Sequence, residues 1–148
     1  MLRFMKTLLM VSALLMLTAC GGKSTGGEDA IVDNGDGTIS NTLTGQMWAK
    51  KKTRRFDSSE KASAYAETAD LAGYNDWRLP TLDEFHTLYY AIDFGQGSVR
   101  QTGISSEGDI WVMRDQQLVS GAWEKEDTCC ISRDFSETEK GRVWLVRP

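Results

Sequence analysis

The side chains that most often perform catalysis are few in this sequence, and they form no recognised catalytic pattern. His86 is the only histidine, and it follows Phe85 at the edge of an apolar stripe, which predicts a half-buried packing role rather than a base or a metal ligand. No G-x-S-x-G, H-E-x-x-H or C-x-x-C motif occurs. The sequence therefore predicts a protein that is not an enzyme and that holds no cofactor and no metal.

An acidic turn, Asp33-Asn34-Gly35-Asp36-Gly37, is the segment that most resembles a metal loop. An EF-hand needs D-x-[DN]-x-[DN]-G followed by a distant glutamate, and that spacing fails here. Asn-Gly and Asp-Gly pairs instead supply the positive φ angles of a tight turn. We expect a β-hairpin between the flanking apolar segments 30–32 and 38–40.

Three cysteines occur, and their positions predict different chemistry. Cys129 and Cys130 are adjacent, so an oxidising compartment leaves them a strained vicinal disulfide, a bridge to another chain or burial as thiols. We rank burial or the vicinal bridge above a linked dimer, because cysteine is often buried in strands. Cys20 stands apart, directly after an apolar segment.

The first twenty residues have the pattern of a lipoprotein signal. Arg3 and Lys6 precede an uncharged run of 12 residues, 8–19, which is too short for a membrane-spanning helix of roughly 20 residues. The run ends in Leu-Thr-Ala-Cys, which resembles the lipobox of bacterial lipoproteins. The sequence predicts a signal peptide over residues 1–19 and acylation of Cys20, which would anchor the protein in a lipid bilayer of the cell envelope, most consistently the outer membrane.

Residues 20–29 follow the lipobox as a glycine-rich tether without an apolar side chain after Cys20. Removal of residues 1–19 takes the formal charge from -4 to -6, because Arg3 and Lys6 are lost with no acidic residue. An acidic chain is a poor match for a phosphate backbone, so we exclude nucleic acid as a partner. One folded domain is expected over residues 30–148.

The domain has the pattern of an α+β fold. A helix is predicted over 59–72, capped by Asp57 or Ser58, with Glu60 completing a capping box to Asp57 and Gly73 ending the helix. A second helix follows Pro80, with Thr81 and Glu84 as its capping box. Strands are predicted at 110–114, 118–124, 128–132 and 143–146. We expect two central helices packed on an antiparallel sheet built from both ends of the chain.

Two stretches carry a family resemblance. They are Val32 to Thr38 with Asn41 to Trp48, and the segment Ala72-Gly-Tyr-Asn-Asp-Trp-Arg-Leu-Pro-Thr81 with Glu84. Together with the closing strand from Val143 to Arg147, they resemble the Lcl C-terminal domain family, named after the C-terminal domain of a bacterial collagen-like adhesin. The resemblance spans residues 30–148 and is loose from Gly95 to Gly141.

The resemblance implies a C-type-lectin-like fold and a role in binding sulfated polysaccharide. This chain lacks a collagen-like repeat, and its net charge is negative, so a sulfated glycan would be repelled unless a local basic patch formed. The densest basic run contains Lys50, Lys51, Lys52, Arg54 and Arg55. We interpret this run as a solvated loop in preference to a ligand patch.

Ligand recognition is instead predicted on the late sheet, at Trp111, Arg114, Trp123 and Arg133. Tryptophan and arginine contribute strongly to binding through stacking and forked hydrogen bonds. The alternative is that Trp111 and Trp123 fill the core. The function predicted from the sequence is a membrane-tethered, non-catalytic module that binds a surface glycan or protein; the alternative is a structural or assembly factor of the envelope without a glycan ligand.

Overall fold

The computed structural model describes residues 30–94, 103–123 and 134–148. Two helices and nine short strands occur in these ranges, and they are numbered here in chain order. They are β1 (Ile31–Asp33), β2 (Thr38–Asn41), β3 (Met47–Ala49), β4 (Arg55–Phe56), α1 (Ser59–Glu67), α2 (Leu82–Asp93), β5 (Ile110–Arg114), β6 (Gln117–Trp123), β7 (Phe135–Thr138), β8 (Gly141–Arg142) and β9 (Val146–Arg147). The fold is α+β, in agreement with the sequence.

The first sheet joins the two ends of the described chain. Its strand order is β1-β2-β3-β9, and every neighbouring pair is antiparallel. β1 and β2 form the predicted hairpin, with Ile31 opposite Asn41. Gly35 and Gly37 both have positive φ in the turn between them, a backbone conformation that glycine adopts without a steric penalty.

The second sheet was not anticipated as a separate unit. Its order is β4-β8-β5-β6-β7, and it contains one parallel pair, β5 with β8. The strand predicted over 143–146 was wrong for residues 143–145, which lie between β8 of the second sheet and β9 of the first, and only Val146 is in a strand. The residues between them are buried, and their carbonyl groups accept hydrogen bonds from Ala49 and Thr53.

The two helices begin where capping chemistry predicts, but the first is shorter than expected. α1 is capped by Ser58, and it ends at Glu67 rather than at residue 72. Ala72 and Gly73 both have positive φ in the turn that follows, so this stretch cannot continue an α-helix. α2 has the complete capping box of Thr81 and Glu84.

A single core lies between the helices and the two sheets. Its largest fully buried side chains are Trp48, Trp144 and Phe85, and the two indole rings meet edge to face with centroids 5.7 Å apart. Gly121 permits close packing of β6 on β7, because a Cβ atom there would lie 2.3 Å from the Ser136 carbonyl oxygen. Within the described ranges, no helix has the length and apolar composition needed to cross a bilayer.

Candidate functional site

Trp111 and Arg114, two of the late-sheet residues predicted to bind a ligand, do not share one surface. Trp111 is only 6% exposed, and its indole N–H donates to the Phe56 carbonyl oxygen, so it lies in the core. Arg114 is three positions further along β5, and side chains three apart on a strand leave opposite faces. Its guanidinium pairs with the carboxylate of Glu137 on β7.

Trp123 is half-buried in a cluster of aromatic rings. Its ring centroid lies 4.7 Å from that of His86 and 5.4 Å from that of Phe135. His86 also contacts Tyr90, at 4.5 Å, which agrees with the predicted packing role for this histidine. Cys20, Arg133, Cys129 and Cys130 lie outside the described residues.

The acidic turn uses its carboxylates to stabilise itself. Asp33 accepts a hydrogen bond from the backbone N–H of Gly35, and Asp36 accepts from both the N–H and the hydroxyl of Thr38. The hydrogen bond from the Lys50 ammonium is the main reason why the pKa of Asp33 is lowered. In the ranges 30–94, 103–123 and 134–148, no group of three potential metal ligands comes together.

Backbone hydrogen bonds connect residues 50–52 of the basic run, and the residue that follows them, to other parts of the domain. Residues 50–52, called the basic segment below, follow β3. The Lys50 N–H donates to the Gly37 carbonyl oxygen at 2.9 Å, and the neighbouring Thr53 N–H donates to the Val143 carbonyl oxygen at 3.0 Å. Two distant parts of the chain therefore fix its path across the surface.

The cations of the run differ in how far they are neutralised. Lys50 pairs with Asp33, and Arg55 pairs with Asp109 at 2.6 Å. Lys51 is exposed and has no carboxylate within ion-pair distance among the residues the structure describes. Arg142, on β8, is likewise exposed and without such a partner in those residues.

Lys52 differs from its neighbours because it is partly buried. Its ammonium lies 4.6 Å from the centroid of the Trp144 ring and donates to the Glu107 carbonyl oxygen. Burial, with the nearby Arg142 cation as a second cause, lowers the pKa of Lys52 from 10.5 to about 8. The carboxylates of Glu107 and Asp93 oppose this shift.

Two clefts adjoin the basic segment. The first, of about 640 Å³, has an apolar floor that includes Leu71, Val143 and Leu145, with Tyr65 and Asp70 at its wall. The second, of about 580 Å³, is lined by Arg55, Arg142 and Glu107 and by residues 103–105. Lys50, Lys51 and Lys52 line both clefts.

This arrangement can hold an anionic group in the second cleft and an apolar ring face in the first. The predicted solvated loop agrees with the structure in that Lys51, Arg54 and Arg55 are exposed and residues 50–54 belong to no helix or strand. The interpretation did not include the two clefts that this loop lines. Sequence reasoning missed Tyr65 and Arg142 as cleft residues. The signal for the region was present in the density of the run, whereas the approach of Arg142 depends on pairing between β4 and β8.

Comparison with known proteins identifies the domain. The model of the Lcl C-terminal domain family matches residues 37–147, which is about three quarters of the chain. No curated protein and no solved structure is significantly similar to the chain. The match includes both sheets, both helices and the basic segment, apart from the first strand of the hairpin. The chain belongs to the Lcl C-terminal domain family.

Proposed function

We propose that this protein is a lipid-anchored bacterial envelope lipoprotein whose domain is a non-catalytic, adhesin-like binding module for an acidic surface polysaccharide. The observation that carries the proposal is that Lys50, Lys51 and Lys52 line both clefts. A polysaccharide bound along the basic segment would contact its cations and could enter the two clefts that these lysines line. Its fold is proposed to be C-type-lectin-like, because strands from both ends of the domain share one sheet beside the two helices.

The first cleft is suited to the face of a sugar ring. Tyr65 is 40% exposed at its wall, and its ring lies 5.4 Å from that of Phe56, which fixes its orientation. Aromatic rings stack on the C–H faces of sugars and combine an apolar face with a polar tip. The apolar floor adds contact area without a fixed charge, so neutral parts of a polysaccharide would lie here.

The second cleft is suited to a sulfate or carboxylate group. Lys51 and Arg142 bring exposed positive charge with no described carboxylate within ion-pair distance, so the cations of this cleft outnumber its one carboxylate, that of Glu107. Guanidinium groups bind such anions with forked hydrogen bonds. The net charge of -4 does not by itself decide whether an anion binds in this cleft. At physiological salt, the Debye length is about 8 Å, so an anion in the cleft responds mainly to the charges beside it.

The proposal is tested by the binding of the full-length purified chain to dextran sulfate, with uncharged dextran as the matched probe. We expect binding to dextran sulfate alone, and a fall in affinity as the salt concentration rises. Lys51→Gln and Arg142→Gln should each weaken binding about threefold, which corresponds to about 0.7 kcal/mol for one partly solvated charge contact. Lys61→Gln removes the same charge from α1, outside both clefts, and should bind like the wild type.

Equal losses in all three variants would mean that only net charge matters, and this would contradict a site on the basic segment. No binding to either polysaccharide would overturn the glycan proposal. It would favour the alternative, a structural or assembly factor of the envelope.

The lipid anchor has its own test. A cell-grown protein should incorporate an alkyne-labelled fatty acid at Cys20, and Cys20→Ser should abolish the label. Cys129→Ser is the matched control, because it removes a cysteine that follows no lipobox. Equal labelling of the wild type and Cys20→Ser would overturn the anchor, and membrane fractionation would then decide where the protein resides.

A further inference from the structure

Lys52 differs from the exposed Lys51 in its packing. Its ammonium lies against the Trp144 ring, and, like Lys51, it lines both clefts, near the cation of Arg142. A proposed role in polysaccharide binding uses its charge but does not use the amine as a nucleophile. Whether the Lys52 amine acts as a nucleophile is therefore independent of whether a polysaccharide binds.

We propose that Lys52 is a covalent modification site, at which the amine forms a reversible imine with a small aldehyde that carries a carboxylate or a phosphate group. The second cleft supplies the two requirements of such a reaction. Lys52 lines this open cleft, and Lys51, Arg55 and Arg142 line it as well, so their cations would lie near the anionic group of the aldehyde.

The reaction balances without an oxidant or a reductant. The neutral Lys52 amine attacks the carbonyl carbon and forms a carbon–nitrogen bond, and proton transfer from nitrogen to oxygen gives a carbinolamine. The hydroxyl group then leaves as water, with the carbonyl oxygen in it, and a carbon–nitrogen double bond remains. Because the cleft is open, water can return and release the aldehyde.

Burial and a neighbouring cation favour the neutral Lys52 amine that this reaction needs, and they outweigh the Trp144 ring and the Glu107 carbonyl oxygen, which favour the ammonium. Its pKa is about 8, lowered first by burial and then by Arg142 on β8. Glu107, in the loop before β5, and Asp93, at the end of α2, favour the protonated form but do not restore the ordinary value. At pH 7, about one molecule in ten carries the neutral amine, against roughly one in 2,500 for a lysine with a pKa of 10.4. Desolvation and a neighbouring cation are the established means of activating a lysine nucleophile.

The test is competitive labelling of the full-length chain with glyoxylate, an aldehyde that carries a carboxylate. Sodium cyanoborohydride traps the imine as a stable secondary amine, and peptide mass spectrometry reports the extent at every lysine. We expect Lys52 to react at least about tenfold faster than Lys51 at pH 7. Its rate should level off above pH 8, whereas the rates of exposed lysines should continue to rise.

Three variants separate the nucleophile from its surroundings. Lys52→Arg keeps the positive charge and should remove the fast label, whereas Lys61→Arg, on α1 and outside both clefts, should leave it unchanged. Arg142→Gln should slow glyoxylate labelling of Lys52 about threefold or more, because it removes both an anion contact and a cause of the lowered pKa. Lys140→Gln, an exposed charge two residues away and outside both clefts, should have no effect.

Uncharged propionaldehyde completes the test. We expect it to label Lys52 less selectively than glyoxylate does, because it has no group for the cations to hold. Equal selectivity for the two aldehydes would overturn the preference for an anionic reagent. If both aldehydes labelled Lys52 at the same rate as Lys51, the whole proposal would be overturned. The polysaccharide proposal would still stand, because dextran sulfate binding tests it independently.

Discussion

The late sheet and the basic segment both contain side chains suited to ligand binding, but they use them differently. In the late sheet, Trp111 is buried and Arg114 is paired with Glu137. Along the basic segment, Lys51 is exposed and has no described carboxylate partner, and Lys52 lines both clefts. The difference shows that residue type indicates what a side chain could bind, whereas its partners in the fold decide whether it is available.

Those partners come from distant positions in the sequence. The carbonyl oxygen that accepts from the Trp111 indole belongs to Phe56, 55 positions earlier, and Glu137 is 23 positions after Arg114. Both contacts depend on strand order within the second sheet. A sequence pattern that identifies a strand therefore cannot say which of its two faces is free.

Loss of the Trp111 side chain should destabilise the fold more than any other substitution proposed for this domain. Trp111→Ala removes a nearly buried indole from the core, and it should lower the free energy of unfolding by about 3–5 kcal/mol, measured by urea denaturation. Leu43→Ala is the matched control, because Leu43 is an apolar side chain that is 72% exposed, and its effect should stay within about 0.5 kcal/mol. A Trp111→Ala protein that kept its stability and lost dextran sulfate binding would return the ligand site to the late sheet.

The charge of Glu84 stabilises the fold, whereas the charge of Lys51 on the basic segment has no described ion-pair partner. Substitution of Glu84 therefore measures what a structural charge contributes to stability. Its carboxylate accepts from Arg78, from Gln46 and from the backbone N–H of Thr81. These hydrogen bonds, that of Arg78 foremost, lower its pKa below the ordinary value of 4.5. Glu84→Gln should cost about 1 kcal/mol near neutral pH, because an amide keeps the shape but loses the charge.

The pH dependence of that cost has a defined sign. A carboxylate whose pKa is lower in the folded state stabilises the fold above its unfolded pKa, and this stability is lost as the pH falls through the folded pKa. The difference between the wild type and Glu84→Gln should therefore be largest at neutral pH and narrow as the pH falls below 4.5. Glu139→Gln, at an exposed carboxylate, serves as the control. A difference that stayed constant with pH would contradict the role of the charge.

Local chemistry predicted much of the fold. The hairpin between β1 and β2, the capping box of α2 and the strand β5 all follow from residues close together in the sequence, and the structure agrees with each. The early end of α1 at Glu67 was missed because residues 68–72 contain no glycine or proline, and because Ala72, a good helix former, adopts a positive φ. Local preference gave no sign of this, since the turn depends on contacts with the rest of the fold.

The candidate site was harder to predict than the elements. The basic run stood out by its composition, but the two clefts that it lines also depend on Tyr65 from α1 and on Arg142 from β8. Burial of Lys52 against Trp144 joins residues 92 positions apart. No local pattern contains such a contact, so the sequence could indicate the cations but not the concave surfaces beside them.

We expect the least change in stability and in polysaccharide binding from substitution of Arg114. Arg114 carries the same charge as Lys51, but its guanidinium is paired with the carboxylate of Glu137. Its ion pair with Glu137 is exposed on both sides, so solvent screens it and double-mutant cycles of such pairs give about 0–1 kcal/mol. Arg114→Gln, Glu137→Gln and the double variant should give a coupling energy in this range by urea denaturation. The same Arg114→Gln protein should bind dextran sulfate like the wild type, because Arg114 lines neither cleft and its charge is already neutralised. A threefold loss, equal to that expected for Lys51→Gln, would show that the Glu137 pair opens for the polysaccharide, and the two regions would then form one binding surface.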